Sequence, residues 1–146
     1  ALVKRARAEN SAVFVSIYVN LTQFGPREDF GAYPRDLNRD LELLRGEGVD
    51  VVLITGGTGI SPRDRTPEAV EALIEKPLPG FGELFRFFSY QEIGGLSLLS
   101  RAGAGISGRS LIVYMPGSPG AVTLMMEKLL LPSVGHIVYE LRRERE

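Results

Sequence analysis

Two kinds of apolar pattern alternate along the chain: short unbroken runs, and stripes spaced by three or four residues. The runs fall at residues 11–19, 51–55 and 111–115, are rich in β-branched residues and are bounded by glycine or polar positions. Such runs predict strands, the last two buried on both faces of a sheet. Leu37, Leu41 and Leu44 fall at i, i+4 and i+7, which predicts a helix over residues 36–45 that Gly46 and Gly48 terminate. Val70, Leu73 and Ile74 predict a second helix, with Thr66 as its N-cap and Pro67 at its first turn. Phe81, Leu84, Phe85 and Phe88 predict a third, whose aromatic stripe suits a core or a subunit contact. Val122, Met126 and Leu129 predict a fourth, capped by Ser118 and ended by Pro132. Residues 20–34 read as a loop, 102–107 as an edge strand or turn, and 135–141 as either a strand or a helix. Strands alternating with helices predict a three-layer α/β sandwich with a mainly parallel sheet, built as a single domain over residues 1–146.

Composition narrows the chemistry more than the fold. The formal net charge is −1, so broad electrostatic binding to nucleic acid or to an anionic membrane is not expected. The absence of cysteine excludes disulfides, thiolate metal sites and a thiol nucleophile. A lone histidine, His136, argues against a His-rich metal centre and a Ser-His-Asp triad, and its apolar neighbours suggest a structural role. With no unbroken apolar stretch of 18 residues and no signal-like start, the expected location is cytoplasmic. The charged clusters at 4–7 and 142–146 read as solvated ends.

The run at 51–55 stops at Gly56-Gly57-Thr58-Gly59 and a helix follows from Thr66. The order strand, glycine loop, helix presents bare N–H groups to an anion. It is neither a P-loop, lacking Gly-Lys-Ser/Thr, nor the dinucleotide fingerprint. Arg63, Asp64 and Arg65 lie just beyond, a set able to hold a phosphate together with a divalent cation. The run at 111–115 also ends in a tight loop, Pro116-Gly117-Ser118, before a helix. Loops that follow parallel strands emerge at one sheet edge, so these two are expected to face each other across a crevice that takes an elongated, phosphate-bearing ligand.

Four blocks in order, Thr-Gly-Gly-Thr-Gly-Ile-Ser-Pro-Arg-Asp-x-Thr-Pro-Glu-Ala at 55–69, Leu-Pro-Gly-Phe-Gly-Glu at 78–83, Ser-Arg-Ala at 100–102 and Met-Pro-Gly-Ser-Pro-x-Ala at 115–121, resemble the molybdopterin adenylyltransferase family of molybdenum cofactor biosynthesis. The likeness runs over about residues 49–142. It implies a trimer or a dimer of trimers, with molybdopterin and ATP as substrates and Mg²⁺ as the cation. In such proteins the terminal phosphate of molybdopterin attacks the α-phosphate of Mg-ATP and pyrophosphate leaves. Carried over by motif, Gly56, Gly57, Thr58 and Gly59 would line the phosphate or pterin site, and Asp64 would be the essential acid that positions Mg²⁺. Asp36, in a loosely matching Tyr-Pro-Arg-Asp, would be the second acid. Gly117 and Ser118 would contact the pterin or its phosphate, with Ser61, Arg63, Thr66, Glu68 and Pro116 completing the binding set. The alternative is a paralogue that binds molybdopterin without turnover, as carrier or scaffold.

Overall fold

The two most apolar runs form the centre of the molecule. β2 (Val51–Thr55) and β5 (Ser110–Met115) pair in parallel, Val51 opposite Leu111 and Thr55 opposite Met115. The computed structural model describes residues 2–18 and 37–143, Asn38 by its backbone alone. Among these the sheet order is β1-β2-β5-β4-β3, where β1 is Phe14–Tyr18, β3 is Lys76–Pro77 and β4 is Gly103–Ser107. β4 runs antiparallel to both its neighbours, so the other four strands share one direction.

Side chains alternate across the sheet with a period of two, and each face has its own core. Val51, Leu111, Val113 and Met115 face α4 (Pro79–Ile93) and the C-terminal helix, where Phe85, Leu124, Met125 and Leu130 complete the cluster. Val52, Ile54, Ile112 and Tyr114 face the other way, against α1 (Leu2–Glu9), α2 (Leu37–Gly46) and α3 (Thr66–Glu71). The layers are therefore helix, sheet, helix, as the alternation predicts.

Besides α3, which ends at Glu71 and leaves Leu73 and Ile74 beyond it, three elements differ from the sequence expectation. Residues 103–107 are an interior strand rather than an edge or turn, and every one of them is buried. The glycines there serve close packing: a Cβ on Gly103 would lie 2.4 Å from the Tyr114 hydroxyl, and one on Gly105 would lie 2.4 Å from Ile74 Cγ2. Pro132 does not stop the C-terminal helix. α5 (Pro119–Leu124), a π-helical stretch (Met125–Leu130) and α6 (Leu131–Arg142) run on as one helix, Pro119–Arg142. The wider π turn makes room where the proline ring would press on the preceding turn, and Ser133 Oγ donates to the Leu129 carbonyl one turn back. This helix has the length and hydropathy of a membrane span, but its apolar side packs on the sheet through Leu124, Met125, Leu129 and Leu130. His136 lies exposed on it, stacked on Tyr139, rather than in a structural apolar setting.

The third difference is at the ends. Residues 4–7 belong to α1, and Arg7 Nη1 reaches the half of Asp50 nearest it at 2.8 Å while Arg142 holds the other carboxylate oxygen through Nε (2.9 Å) and Nη2 (2.6 Å). Asp50 also accepts from the Val13 amide at 2.9 Å. One largely buried carboxylate thus ties α1, α6 and the starts of β1 and β2 together, where the sequence suggested solvated ends.

Candidate active site

The glycine loop is built to turn sharply and then lock. Gly56 and Gly57 take φ of 96° and 66°, a region that a side-chain-bearing residue enters at a cost. Gly56 N donates to the Met115 carbonyl at 2.9 Å, which extends the β2–β5 pairing one residue into the loop. Thr66 closes the far end: its amide donates to the Gly57 carbonyl at 3.0 Å and its hydroxyl to the Gly56 carbonyl at 2.9 Å. The hydroxyl is therefore spent on the loop, and Thr66 is the buried first residue of α3 rather than its N-cap, a position taken by Arg65 without a side-chain cap. Asp64 folds back over the loop. Its Oδ2 accepts from the Ser61 amide at 3.1 Å, and its own amide donates to the Ser61 carbonyl at 2.8 Å. A Cβ on Gly59 would sit 2.9 Å from that Oδ2, so only glycine leaves the carboxylate its place. The other Asp64 oxygen accepts no hydrogen bond from the described residues.

Arg101 binds this loop from outside. Its Nε donates to the Gly59 carbonyl at 2.9 Å, Nη2 to the Asp64 carbonyl at 2.7 Å, and Nη1 to Glu68 Oε1, while its amide donates to the Thr58 carbonyl at 3.1 Å. The Arg101 hydrogen bond, reinforced by the Glu68 backbone amide, holds the Glu68 carboxyl below its ordinary 4.5. A depressed value means that this pair supports the fold above the ordinary range and is lost as pH falls through the lowered one. Glu68 is exposed, so water screens most of the effect.

The second loop abuts the first instead of standing across a crevice from it. A Cβ on Gly117 would lie 3.4 Å from Gly56 Cα and 3.3 Å from the Tyr18 ring, so two bare backbones and an aromatic edge meet here. Ser118 caps α5 by accepting from the Ala121 amide at 3.4 Å. Above the junction lies a hollow of about 310 Å³ lined by Thr58, Gly59, Ser89, Ser97, Pro116 and Ser118, over an apolar floor of Phe85 and Leu124. A larger hollow of about 860 Å³, lined by Glu68, Glu71, Arg86, Arg101 and Tyr114, adjoins it at Ser100. Burial and a 3.0 Å hydrogen bond to Glu71 push the Tyr114 hydroxyl up to about 12, so it stands there as a neutral donor.

Comparison with known proteins decides the family. Residues 33–136 match the model of a family described as "Probable molybdopterin binding domain". The chain belongs to the molybdopterin-binding domain family. A relative in Bacillus cereus named molybdenum cofactor biosynthesis protein B is 58% identical over 99 residues, covering 67% of this chain and 59% of that protein. A protein of the same name in Staphylococcus carnosus is 50% identical over 108 residues, covering 73% and 64%. The matched stretch thus spans about three fifths of these relatives. A crystal structure titled molybdenum cofactor biosynthesis protein B superposes with a TM-score of 0.76 at 39% identity, covering 91% of this chain and 98% of that one. The tungsten cofactor synthesizing protein MoaB from Pyrococcus furiosus superposes at 0.69 with 29% identity, over 92% and 99%.

In this molybdopterin-binding domain the residues singled out by motif divide into groups. Thr58, Gly59, Pro116 and Ser118 share the smaller hollow, with Gly56, Gly57 and Gly117 at the junction beneath it. Thr66 is a lock within the loop, and Glu68 lines the larger hollow as the partner of Arg101. Ser61, Arg63 and Asp64 line neither hollow; Arg63 is exposed and forms no ion pair with the described residues. Asp36 lies outside the described residues. No group of three or more His, Asp or Glu suited to a metal exists among the described residues. Sequence reasoning gave Arg101, Tyr114 and Tyr18 no part at this edge. The block Ser-Arg-Ala was the one signal for Arg101, whereas Tyr114 and Tyr18 come from the interiors of apolar runs.

Proposed function

We propose that this domain works in molybdenum cofactor biosynthesis by adenylylating molybdopterin. A terminal phosphate oxygen of molybdopterin attacks the α-phosphorus of Mg-ATP; that P–O bond forms, the α–β bridging bond breaks and pyrophosphate leaves. The observation that carries this reading is the pinned glycine loop holding Asp64, one of whose carboxylate oxygens accepts no hydrogen bond from the described residues, next to two hollows that meet at Ser100. Two adjoining compartments suit a reaction that joins two substrates, and phosphoryl-type transfer asks the protein for positioning and charge neutralisation more than for a nucleophile. A single carboxylate fits a cation that arrives on the nucleotide, since Mg²⁺ keeps several waters and takes one or two carboxylates beside phosphate oxygens. Asp64 would hold it, and bound there the cation would neutralise charge on the phosphates. The Gly57 and Gly59 amides and Ser118 would orient the pterin phosphate, and the apolar floor would exclude water.

The reading places the work in the cytoplasm with small-molecule substrates, without nucleic acid or membrane. It also makes the domain a homotrimer or a dimer of trimers, which gives a use to the exposed apolar residues Leu84, Phe87, Tyr90, Ile93, Leu96 and Leu98 in and after α4. Pyrophosphate release from Mg-ATP and purified molybdopterin tests the chemistry. The wild type should turn over, and Asp64→Asn should lose about 10²-fold or more in kcat with an unchanged melting temperature. Wild-type silence with tight pterin binding would instead make the domain a carrier.

A further inference from the structure

We infer that Arg101 is the positioning residue that sets Asp64 for the reaction proposed above, on which this inference rests. Three separate side-chain bonds leave its guanidinium, and each ends on a different part of the segment that carries the acid: the Gly59 carbonyl before it, the carbonyl of Asp64 itself, and Glu68 in the first turn of α3 beyond it. A fourth bond, from its amide to the Thr58 carbonyl, fixes where the guanidinium starts. The loop needs such a brace. Pro62, Arg63 and Arg65 around Asp64 are exposed, and the acid's own hydrogen bonds reach only Ser61. Without Arg101, the Gly59 and Asp64 carbonyls would turn to water, and the segment would be held only by the Thr66 lock on Gly56 and Gly57 and by the Asp64–Ser61 bonds.

Geometry also separates this role from a structural one. Arg101 lies outside both core clusters and is partly exposed, so its loss removes no core packing. Its Nε, Nη1 and Nη2 each donate within the protein, so the guanidinium is fixed in place by the segment it braces. Lysine has one donor centre and cannot reach three acceptors set around a planar fork. Arg101→Lys therefore keeps the charge and loses the positioning.

The test uses Arg101→Lys and Arg101→Met, read by hydrogen exchange at residues 57–65 and by pyrophosphate release. Exchange in both variants should rise at least tenfold in that segment relative to β2 and β5, with the melting temperature held within a few degrees. In turnover, kcat should fall about tenfold to a hundredfold, with KM for molybdopterin within twofold, as expected when a reacting group is misplaced but the substrate still binds. Added guanidinium should restore part of the Arg101→Met rate. Wild-type exchange in the loop, or a rate within threefold of wild type in Arg101→Lys, would overturn the assignment. If the wild type itself releases no pyrophosphate, the adenylylation reading fails and the exchange result alone decides the brace.

Discussion

At the scale of single residues, glycine acts here as a spacer whose missing Cβ is occupied by something else. Gly59 yields its place to the Asp64 carboxylate, Gly117 to the Gly56 backbone and Tyr18, and Gly103 to the Tyr114 hydroxyl. Gly59→Ala should therefore act through Asp64: the methyl would displace Oδ2 from the Ser61 amide and lower pyrophosphate release about tenfold or more, with the domain still folded. Near-wild-type release in that variant would show that the carboxylate need not lie over the loop. The sequence made the glycines of 56–59 legible as a turn because they cluster after an apolar run. It did not make Gly103 and Gly105 legible, since their reason lies in Tyr114 and Ile74, neighbours only in the folded chain. Thr66 was misread for a related cause. Its type and position suit an N-cap, but two carbonyls left unpaired by the glycine turn claim its amide and hydroxyl first.

Elements follow their periodicity wherever one face is buried, and depart from it where a neighbour supplies what the local sequence lacks. β2 and β5 match their apolar runs closely, and α4 matches its phenylalanine stripe with Phe85 only 2% exposed. Phe85→Ala should cost about 3–5 kcal/mol by opening a cavity between α4 and the sheet. Differential scanning calorimetry should show a melting point lower by several degrees, and an unchanged one would place Phe85 outside the core. The C-terminal helix shows the opposite case. Pro132 is a sound local stop signal, yet a π turn and the Ser133 hydroxyl absorb it while Leu129 and Leu130 on one side keep the helix seated on the sheet. Tertiary burial outweighs a local breaker here because the apolar stripe continues past it.

For the whole molecule, the distribution of exposed apolar surface is uneven. Leu84, Phe87 and Tyr90 of α4 are each at least half exposed, beside the 3₁₀ turn that carries Leu96 and Leu98. On the proposed reading these residues are covered by further copies of the chain. Phe87→Glu should then convert a trimer to monomer in light scattering behind size exclusion, with the fold intact by circular dichroism. A wild type that elutes as a monomer would show instead that this face stays bare. The three-layer plan and the loop-bearing edge were legible from pattern alone, whereas the brace of Arg101 was not, because its acceptors at Gly59, Asp64 and Glu68 lie more than thirty residues away in sequence.

The Asp50 junction has a practical consequence for handling this protein. Arg7 and Arg142 gather α1 and α6 at the start of β2, whereas the glycine loop leaves its end, about 17 Å away over five strand residues. A fluorophore or a sensor-chip linkage attached through Lys4 of α1 would therefore sit at the opposite pole of the sheet. Ligands could be washed over a domain immobilised in that way with the loops facing the flow.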